Sequence, residues 1–503
     1  MPVFQARLAR KPWKSAASLA RSLGGRLVSL WASDRRPIDG QIAVHAAYAT
    51  SGGLAWLTLP LADSLRVYPG VDDVFAEAAR MQRAVADLLG LLPEEHHDTR
   101  PWSRHDSWPA SYHPLLVEYS GRETFEPAPQ AYPFVPVEGD GVHEIPVGPV
   151  HAGVIEPGHF RFSVVGEKVL RLEELLGYAH KGIEKRFEGQ RPLDAARLAA
   201  RVSGDTTVAY GWAYAMAVES STSCTVPERA QWLRALALER ERVANHLGDL
   251  GALGNDAGFA FGLAQFSRLK EDWLRVNAPA FGHRYAMDYV IPGGVREDPD
   301  RSQLETIVRQ CDKIERQIAR LRSIYDEHAG LQDRFAGAGR VAPELATRLG
   351  LTGLAGRASG QAHDLRSDFR FAPYDALGAV CVSNRAGDVA ARAAVRFDEA
   401  FESLRLIRAI GARLQEGGTE GVIHAAPQIP SSPALGVGWV EGWRGEVLVA
   451  LELDQYGIIR RCHCHDPSWQ NWPVLEHAVI GNIVPDFPLI NKSFNLSYSG
   501  QDL

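Results

Sequence analysis

Two short blocks near the middle of the chain concentrate side chains that can move protons. The block GPVHAGVIEPGHFRF contains His151, Glu156 and His159, and the block LGYAHKGIEKRFEG contains Tyr178. Imidazole and carboxyl groups exchange protons near neutral pH, and glycine lets a backbone approach another group closely. Polar turns with solvated side chains also fit both blocks, so spacing alone leaves the two interpretations open.

A second set of polar residues accompanies predicted helices. Asp205 precedes the small and apolar run TTVAYGWAYAMAV, a position typical of a helix cap. Further along, Glu239, Arg242 and His246 recur at helical spacing and share one face. A solvated face and an internal ion network both fit this second pattern.

The densest group of soft metal ligands is the run Cys462-His463-Cys464-His465. Neighbouring residues of a strand point to opposite faces, whereas structural zinc usually takes two separated pairs of ligands. We therefore expect no metal site in this run, although a metal enzyme built on it stays a third hypothesis. The motifs GxxxxGK[ST], GxSxG and HExxH are absent, which removes the usual support for P-loop, serine-hydrolase and zincin chemistry.

Composition excludes several classes of protein. The 503 residues carry 54 basic and 61 acidic side chains, a net charge of −7 that argues against a general nucleic-acid binder. Five cysteines in so long a chain do not make a disulfide scaffold. No apolar run approaches ~18 residues, so no membrane-spanning helix is predicted. No secretory signal is evident, and a cytoplasmic location is expected.

Hydrophobic periodicity divides the chain into three parts. The segments GRLVSLWA, IAVHAAYA and GLAWLTLPL alternate as strands, and a Pro- and aromatic-rich arm follows the first helix. After the arm, HFRFSVVGEKVLRLEE predicts a hairpin, helices dominate, and strands return near 436–464. The predicted helices cover 72–91, 226–250, 300–330 and 388–414. The predicted divisions are an α+β domain over 1–115, a linker arm over 116–144 and a large domain over 145–503.

Eight blocks occur in an order that is characteristic of one family. They are GPVHAGVIEPGHFRF, LGYAHKGIEK, RVSGDTTVAY, PERAQWLRALALERERVANHLGDLG, GHRYAMDYVIPGGV, GLTGLAGRASGQAHDLR, GDVAARAAVRFDEAFESL and EGWRGE. From about residue 145 onward the chain resembles the large subunit of complex-I-related membrane-bound [NiFe] hydrogenases (hydrogenase-3 and hydrogenase-4 type) and the homologous 49-kDa subunit of complex I. Residues 70–120 resemble, more faintly, the 30-kDa subunit that is fused ahead of it in this hydrogenase type.

The resemblance implies a fold and a difference in metal chemistry. The implied fold is an α+β N-terminal domain followed by a mainly α-helical [NiFe]-hydrogenase large-subunit-like domain with small β-sheets. The catalytic family holds its metals with two Cys-x-x-Cys pairs, because soft sulfur suits nickel and iron. This chain carries other residues at all four expected positions, so the resemblance implies no NiFe centre, no metal and no hydrogen activation by this chain. The vacated positions are assigned to Ser203, Thr206, Ser468 and Asn471.

The same resemblance assigns roles to individual residues. Tyr178 matches the tyrosine that binds the quinone in complex I, and Glu156 matches the glutamate that gates protons in hydrogenases. His151 matches the first histidine of the complex I motif, and His159 matches the second if a gap is allowed. The remaining implied residues are Asp205, which lines the cavity, and Arg357, Asp364 and His246, which support the pocket.

The implied function is that of one subunit of a membrane-associated, multi-subunit oxidoreductase of NADH:quinone-oxidoreductase or hydrogenase-4 type. Its cavity would lie beside an iron–sulfur cluster of a partner subunit and take a quinone, with proton uptake coupled to antiporter-like membrane subunits. The chain itself would bind no cofactor. The implied partners are an iron–sulfur small subunit, a ferredoxin-like subunit and the membrane subunits, on the cytoplasmic side. The donor is left open among NADH, formate and ferredoxin. The alternative function is a redox-silent structural coupling subunit.

Overall fold

The computed structural model describes residues 2–95, 98–105, 107–126, 132–152, 155–369, 371–416 and 421–503. The N-terminal part is a four-stranded sheet with strand order β1-β4-β3-β2, in which only β1 runs parallel to its neighbour. The three predicted strands are confirmed as β2, β3 and β4. The elements of this part are β1 Val3–Arg7, α1 Arg10–Ser22, β2 Arg26–Asp34, α2 Arg36–Asp39, β3 Ile42–Thr50, β4 Gly53–Leu61, β5 Val67–Pro69, α3 Ala78–Leu89 and β6 Leu92–Glu94.

Two helices of this part differ from the prediction. α3 begins at Ala78 rather than near residue 72, because the backbone N–H groups of Val74 and Phe75 bond to Val71 in a turn. α1 was not predicted; only Trp13 and Ala17 of its side chains are buried, and basic residues and serines make up about half of the segment.

The predicted hairpin is confirmed, and a further strand joins it. β8 His159–Val165 and β9 Lys168–Leu175 turn at Gly166-Glu167, as the sequence indicates. β7 Val142–Val147 pairs antiparallel with β8 and completes a three-stranded sheet at the end of the predicted arm.

Long helices form the centre of the molecule. α7 packs against α8 and α15, and α15 packs in turn against α9. Arg240 of α7 is fully buried. The structure accommodates its guanidinium over the Trp273 ring at 4.0 Å, with a hydrogen bond to the Trp273 carbonyl. The elements are α4 Ile183–Phe187, α5 Ala196–Ala199, α6 Thr207–Thr222, α7 Glu228–Asp256, α8 Ala260–Phe281, β10 Val290–Ile291, β11 Gly294–Val295, α9 Arg301–Glu327, α10 Ala329–Phe335, α11 Pro343–Arg348, α12 Gly353–Arg357, α13 Leu365–Asp368, α14 Tyr374–Leu377 and α15 Val389–Gln415.

The C-terminal part returns to strands and short helices, as predicted for 436–464. Its antiparallel sheet has the order β12-β13-β14, and β12 packs on α6. Glycines allow this close approach, since a Cβ at Gly438 would lie 1.8 Å from the Ala213 carbonyl oxygen. The elements are β12 Ala434–Glu441, β13 Glu446–Leu453, β14 Ile459–His465, α16 Ser468–Ala478, a 3₁₀ turn at Val484–Asp486, α17 Phe487–Phe494 and α18 Tyr498–Asp502.

The N-terminal and C-terminal sheets share a buried junction. Trp31 of β2 stacks on the His463 ring of β14 at 4.9 Å, and His463 Nε2 is 2.8 Å from Ser29 Oγ. The strands β2 and β3 are therefore buried on both faces, which explains why they are almost continuously apolar. Two ion pairs also cross the junction, Arg26–Glu446 and Arg35–Glu452. A third pair, Arg80–Glu174, joins α3 to β9.

No helix in the described ranges is both long enough and apolar enough to cross a membrane.

Candidate functional site

Three of the predicted site blocks converge on the short helix α18 and the residue before it. Ser497 Oγ lies 3.1 Å from Ser203 Oγ, and both side chains are buried. The backbone N–H of Ser499 donates to Glu156 Oε2 at 3.1 Å. Asp502 contacts the loop that carries Tyr178. All three blocks therefore contact the C-terminal segment 497–502, which the sequence did not indicate as part of the site.

Asp502 holds the Tyr178 loop through backbone hydrogen bonds on both sides of the tyrosine. Its carboxylate accepts from the N–H groups of Gly177 and Ala179 at 2.9 and 2.8 Å. Burial raises the pKa of Asp502 to about 7, and these two N–H groups offset part of that rise. A carboxyl group that titrates near neutral pH therefore lies directly behind Tyr178.

Tyr178 itself is partly open to solvent. Its ring is 38% exposed and meets the His105 ring edge-on at 4.4 Å. Burial of the rest of the side chain raises the pKa of the phenol, which therefore stays protonated at neutral pH. The Tyr178 hydroxyl has no hydrogen-bond partner among the residues that the structure describes. It is a donor available to a bound molecule.

The two predicted histidines hold the loop before β8 rather than facing Tyr178. His151 Nε2 donates to the Gly158 carbonyl at 2.8 Å, and His159 Nδ1 lies 3.3 Å from the Gly148 carbonyl. Burial lowers the pKa of His159. Both contacts lie within one loop, so they fix the backbone that carries Glu156.

Asp205 does not cap α6, as its position suggested, but pairs with a distant arginine. The residue at the cap is Thr206, whose side chain makes no capping hydrogen bond. Arg444 binds both Asp205 carboxylate oxygens at 2.8 and 2.6 Å and also Thr206 Oγ1 at 3.1 Å. Burial alone would raise the pKa of Asp205, but the Arg444 charge outweighs it and keeps this pKa below its usual value. The bidentate pair forms because EGWRGE brings Arg444 to the start of α6.

The four positions assigned to lost metal ligands do not all come together. Ser203, Thr206 and Ser468 share one network, since Ser468 Oγ accepts from the Ser497 N–H at 2.9 Å. Asn471 lies apart, with its amide bound to both the N–H and the carbonyl of Thr352 at 3.0 and 3.1 Å. The segment Ser497-x-x-Gly500 repeats the spacing of Ser203-x-x-Thr206 and lies opposite it. The segment 497–500, rather than Ser468 and Asn471, therefore lies opposite the segment 203–206.

The residues around Ser203 and Ser497 do not fit a nickel–iron centre. The side chains present are the hydroxyls of Ser203, Ser497 and Thr206 and the Asp205 carboxylate, which is already paired with the Arg444 guanidinium. A Cβ at Gly500 would lie 2.6 Å from Asp466 Oδ2, so this wall is already closed. Thiolate ligands, which soft metals need, are missing from the network. In the described ranges no group of three or more His, Cys, Asp or Glu side chains is arranged to hold a metal.

The run Cys462–His465 is divided between two faces of β14, as its spacing predicts. His463 contacts Ser29 of the N-terminal sheet, and His465 contacts Gln470 of α16, whose amide donates to the Val28 carbonyl of that sheet. Cys462 and Cys464 are both buried. Alternation along the strand keeps the four groups from converging on one ion.

Arg357, Asp364 and His246 meet in one buried ion cluster. Arg357 donates to Glu399 Oε1 at 2.7 Å and to Glu441 Oε1 at 2.8 Å, and His246 Nε2 lies 2.8 Å from Glu399 Oε2. Glu239 and Arg242 of α7 also lie in this cluster and are fully buried. The face of α7 that carries Glu239, Arg242 and His246 is therefore an internal ion network and not a solvated face. It reaches Asp205 through Trp443, whose Nε1 donates to the Asp205 carbonyl at 2.9 Å and whose ring lies 6.3 Å from the His246 ring.

Comparisons with known proteins decide the family. The description "Respiratory-chain NADH dehydrogenase, 30 Kd subunit" matches residues 6–125, and "Respiratory-chain NADH dehydrogenase, 49 Kd subunit" matches residues 256–434. Formate hydrogenlyase subunit 5 of Escherichia coli is 31% identical over 95% of this chain and 85% of its own length. The chain belongs to the complex I 30-kDa/49-kDa family, which includes the large subunits of related hydrogenases.

Two further comparisons cover most of this chain. Hydrogenase-4 component G of Escherichia coli is 30% identical over 95% of this chain and 84% of its own length. A chain of the membrane-bound sulfane sulfur reductase, an archaeal respiratory membrane complex, superposes with a TM-score of 0.67 at 25% identity. It covers 73% of this chain and 100% of its own length. These matches confirm the 30-kDa/49-kDa fusion and the fold class predicted from the sequence.

Proposed function

We propose that this subunit forms the acceptor pocket of a membrane-associated oxidoreductase and donates hydrogen bonds and protons to a quinone-like acceptor beside Tyr178. The observation that carries this proposal is the arrangement of Tyr178 and Asp502. A protonated phenol with a free hydroxyl lies in front of a carboxyl group whose pKa is about 7. A preorganised donor of this kind favours an oxygen that gains negative charge.

Reduction of a quinone to a quinol takes two electrons and two protons. An iron–sulfur cluster of a partner subunit would supply the electrons. Tyr178 would donate a hydrogen bond to the acceptor oxygen, and Asp502, which binds its loop, would exchange protons with the site. Glu156 is bound to the same C-terminal segment through the Ser499 N–H. The partners would be an iron–sulfur small subunit, a ferredoxin-like subunit and antiporter-like membrane subunits, with this chain on the cytoplasmic side.

A redox-silent coupling role is the second candidate. It is favoured by Arg444, because this arginine and its partner Asp205 join α6 to the strand loop after β12 across the place where metal ligands would stand. Binding of a quinone analogue to the purified complex separates the candidates. A coupling subunit would leave the analogue unbound and would tolerate changes at Tyr178.

The Tyr178→Phe variant tests the acceptor role. We expect quinone reduction by the assembled complex to fall about tenfold or more, because one hydrogen bond to a charged oxygen in the transition state is removed. The thermal midpoint should stay unchanged, since the hydroxyl bonds to no described residue. Tyr456→Phe, at a ring that is 77% exposed, is the matched control and should leave both quantities unchanged. Unchanged quinone reduction in Tyr178→Phe would refute the proposal.

A further inference from the structure

A second cavity lies away from α18, between the N-terminal part and the loop that joins α11 to α12. Its volume is about 190 Å³, and its walls come from α1, β2 and residues near 350. One water takes about 30 Å³ of liquid, so this space suits a small organic molecule better than a single water. The charged groups that line it are Arg21, Arg26, Glu77 and Glu446.

Glu77 directs an unpaired oxygen into this cavity. The residue is only 3% exposed, and its Oε2 has no hydrogen-bond partner in the described part of the chain. Gly350, in the left-handed region at φ +69°, leaves room for the carboxyl group, because a Cβ there would lie 2.5 Å from Glu77 Cδ. A buried acceptor oxygen left without a donor destabilises the fold. The arrangement therefore calls for a donor inside the cavity.

Arg21 supplies the complementary charge. Its guanidinium donates to the Thr347 carbonyl at 3.3 Å and lies 5.6 Å from the centre of the Phe75 ring, but it pairs with no carboxylate among the described residues. Arg26 differs, because it forms an ion pair with Glu446 at 2.6 Å. Among the described residues neither Arg21 nor Glu77 forms an ion pair, although the charges of Arg21 and Arg26 are near enough to lower the pKa of Glu77.

We propose that this cavity binds a small zwitterion of the α-amino acid class, with its ammonium group at Glu77 and its carboxylate at Arg21. Both contacts are charge-assisted hydrogen bonds, which are the stronger kind. The cavity lies at the junction of the two family regions, so a bound molecule would contact both of them. This inference does not depend on the acceptor proposed for Tyr178.

Binding can be measured on the full-length chain with the common L-amino acids, each added separately at millimolar concentration. We expect at least one of them to raise the thermal midpoint and to bind in calorimetry, because a ligand that prefers the native state stabilises it. Glu77→Gln and Arg21→Met should each weaken that binding about tenfold or more, since each removes one charged partner. Glu327→Gln, at an exposed glutamate of α9, is the control and should leave the affinity unchanged.

The Glu77→Gln variant is expected to fold, because it removes a buried acid whose pKa burial raises to about 7. Without ligand, its thermal midpoint at pH 8 should equal or exceed that of the unmodified protein. Two results would overturn the proposal. One is that no amino acid shifts the midpoint, which means that the cavity holds water only. The other is that an amino acid binds Glu77→Gln and Arg21→Met as tightly as it binds the unmodified protein.

Discussion

Replacing Arg357 by methionine is expected to lower the free energy of unfolding by roughly 3–5 kcal/mol. Arg357 is fully buried and donates to Glu399 and Glu441 at 2.7 and 2.8 Å. Its removal leaves the carboxyl groups of Glu399 and Glu441 in the interior without the positive charge of Arg357 beside them. The midpoint of urea unfolding measures the loss. Arg301→Met, at a side chain that is 79% exposed, is the control and should change stability by about 0.5 kcal/mol or less.

The dependence of this loss on pH gives a second test. Burial raises the pKa of Glu441 to about 7 even with Arg357 present, and without the arginine the pKa of the carboxyl pair should rise further. An acid whose folded-state pKa exceeds its unfolded value destabilises the fold increasingly as pH rises from about 4.5. The variant should therefore recover stability as pH falls from 8 toward 5. A loss as small as that of Arg301→Met, or one independent of pH, would contradict the assignment of Arg357 as the neutralising charge.

Replacing Glu184 by glutamine is expected to cost roughly 3–4 kcal/mol at neutral pH. Burial alone would raise the pKa of Glu184, but the charge of Arg461 and the hydrogen bond from His463 lower it from 4.5 to about 2. At ~1.4 kcal/mol for each pH unit, that difference gives the figure above. Because the folded pKa is depressed, the stabilisation is complete above pH 4.5 and disappears as pH falls toward 2.

Unfolding curves of both proteins between pH 7 and pH 3 check this sign. The unmodified protein should lose stability over that range more steeply than Glu184→Gln, so the two curves should approach each other in acid. Glu327→Gln again serves as the control, because its carboxylate is exposed at the end of α9. A gap that stays constant down to pH 3 would mean that the effect of Glu184 does not come from its charge.

The long elements could be predicted from periodicity because their apolar faces recur regularly. α7, α9, α15 and the β8–β9 hairpin all lie where the sequence places them, and α7 extends six residues beyond the predicted end at Leu250. α1 was not predicted although it is amphipathic, because its segment is rich in basic residues and serines and buries only Trp13 and Ala17.

The candidate site was predicted only in part, because its contacts join residues far apart in the chain. Nothing local to Arg444 shows that it binds Asp205, 239 positions away. Asp502 resembles any polar residue near a chain end until its bonds to Gly177 and Ala179 are seen. The charged residues of α7 favoured solvent exposure, since buried charges are rare unless paired. One signal was available, because Ser497-x-x-Gly500 repeats the spacing of Ser203-x-x-Thr206.

The junction between the N-terminal and C-terminal sheets has a mechanical consequence. Ser29 and Trp31 of β2 hold His463, and His463 holds Glu184 of α4, which begins five residues after Tyr178. Each of these contacts is buried and is either a hydrogen bond or a ring stack, so these residues cannot move far relative to one another without breaking a contact. A force applied to the N-terminal sheet by a neighbouring subunit would displace the start of α4 and, with it, the phenol of Tyr178.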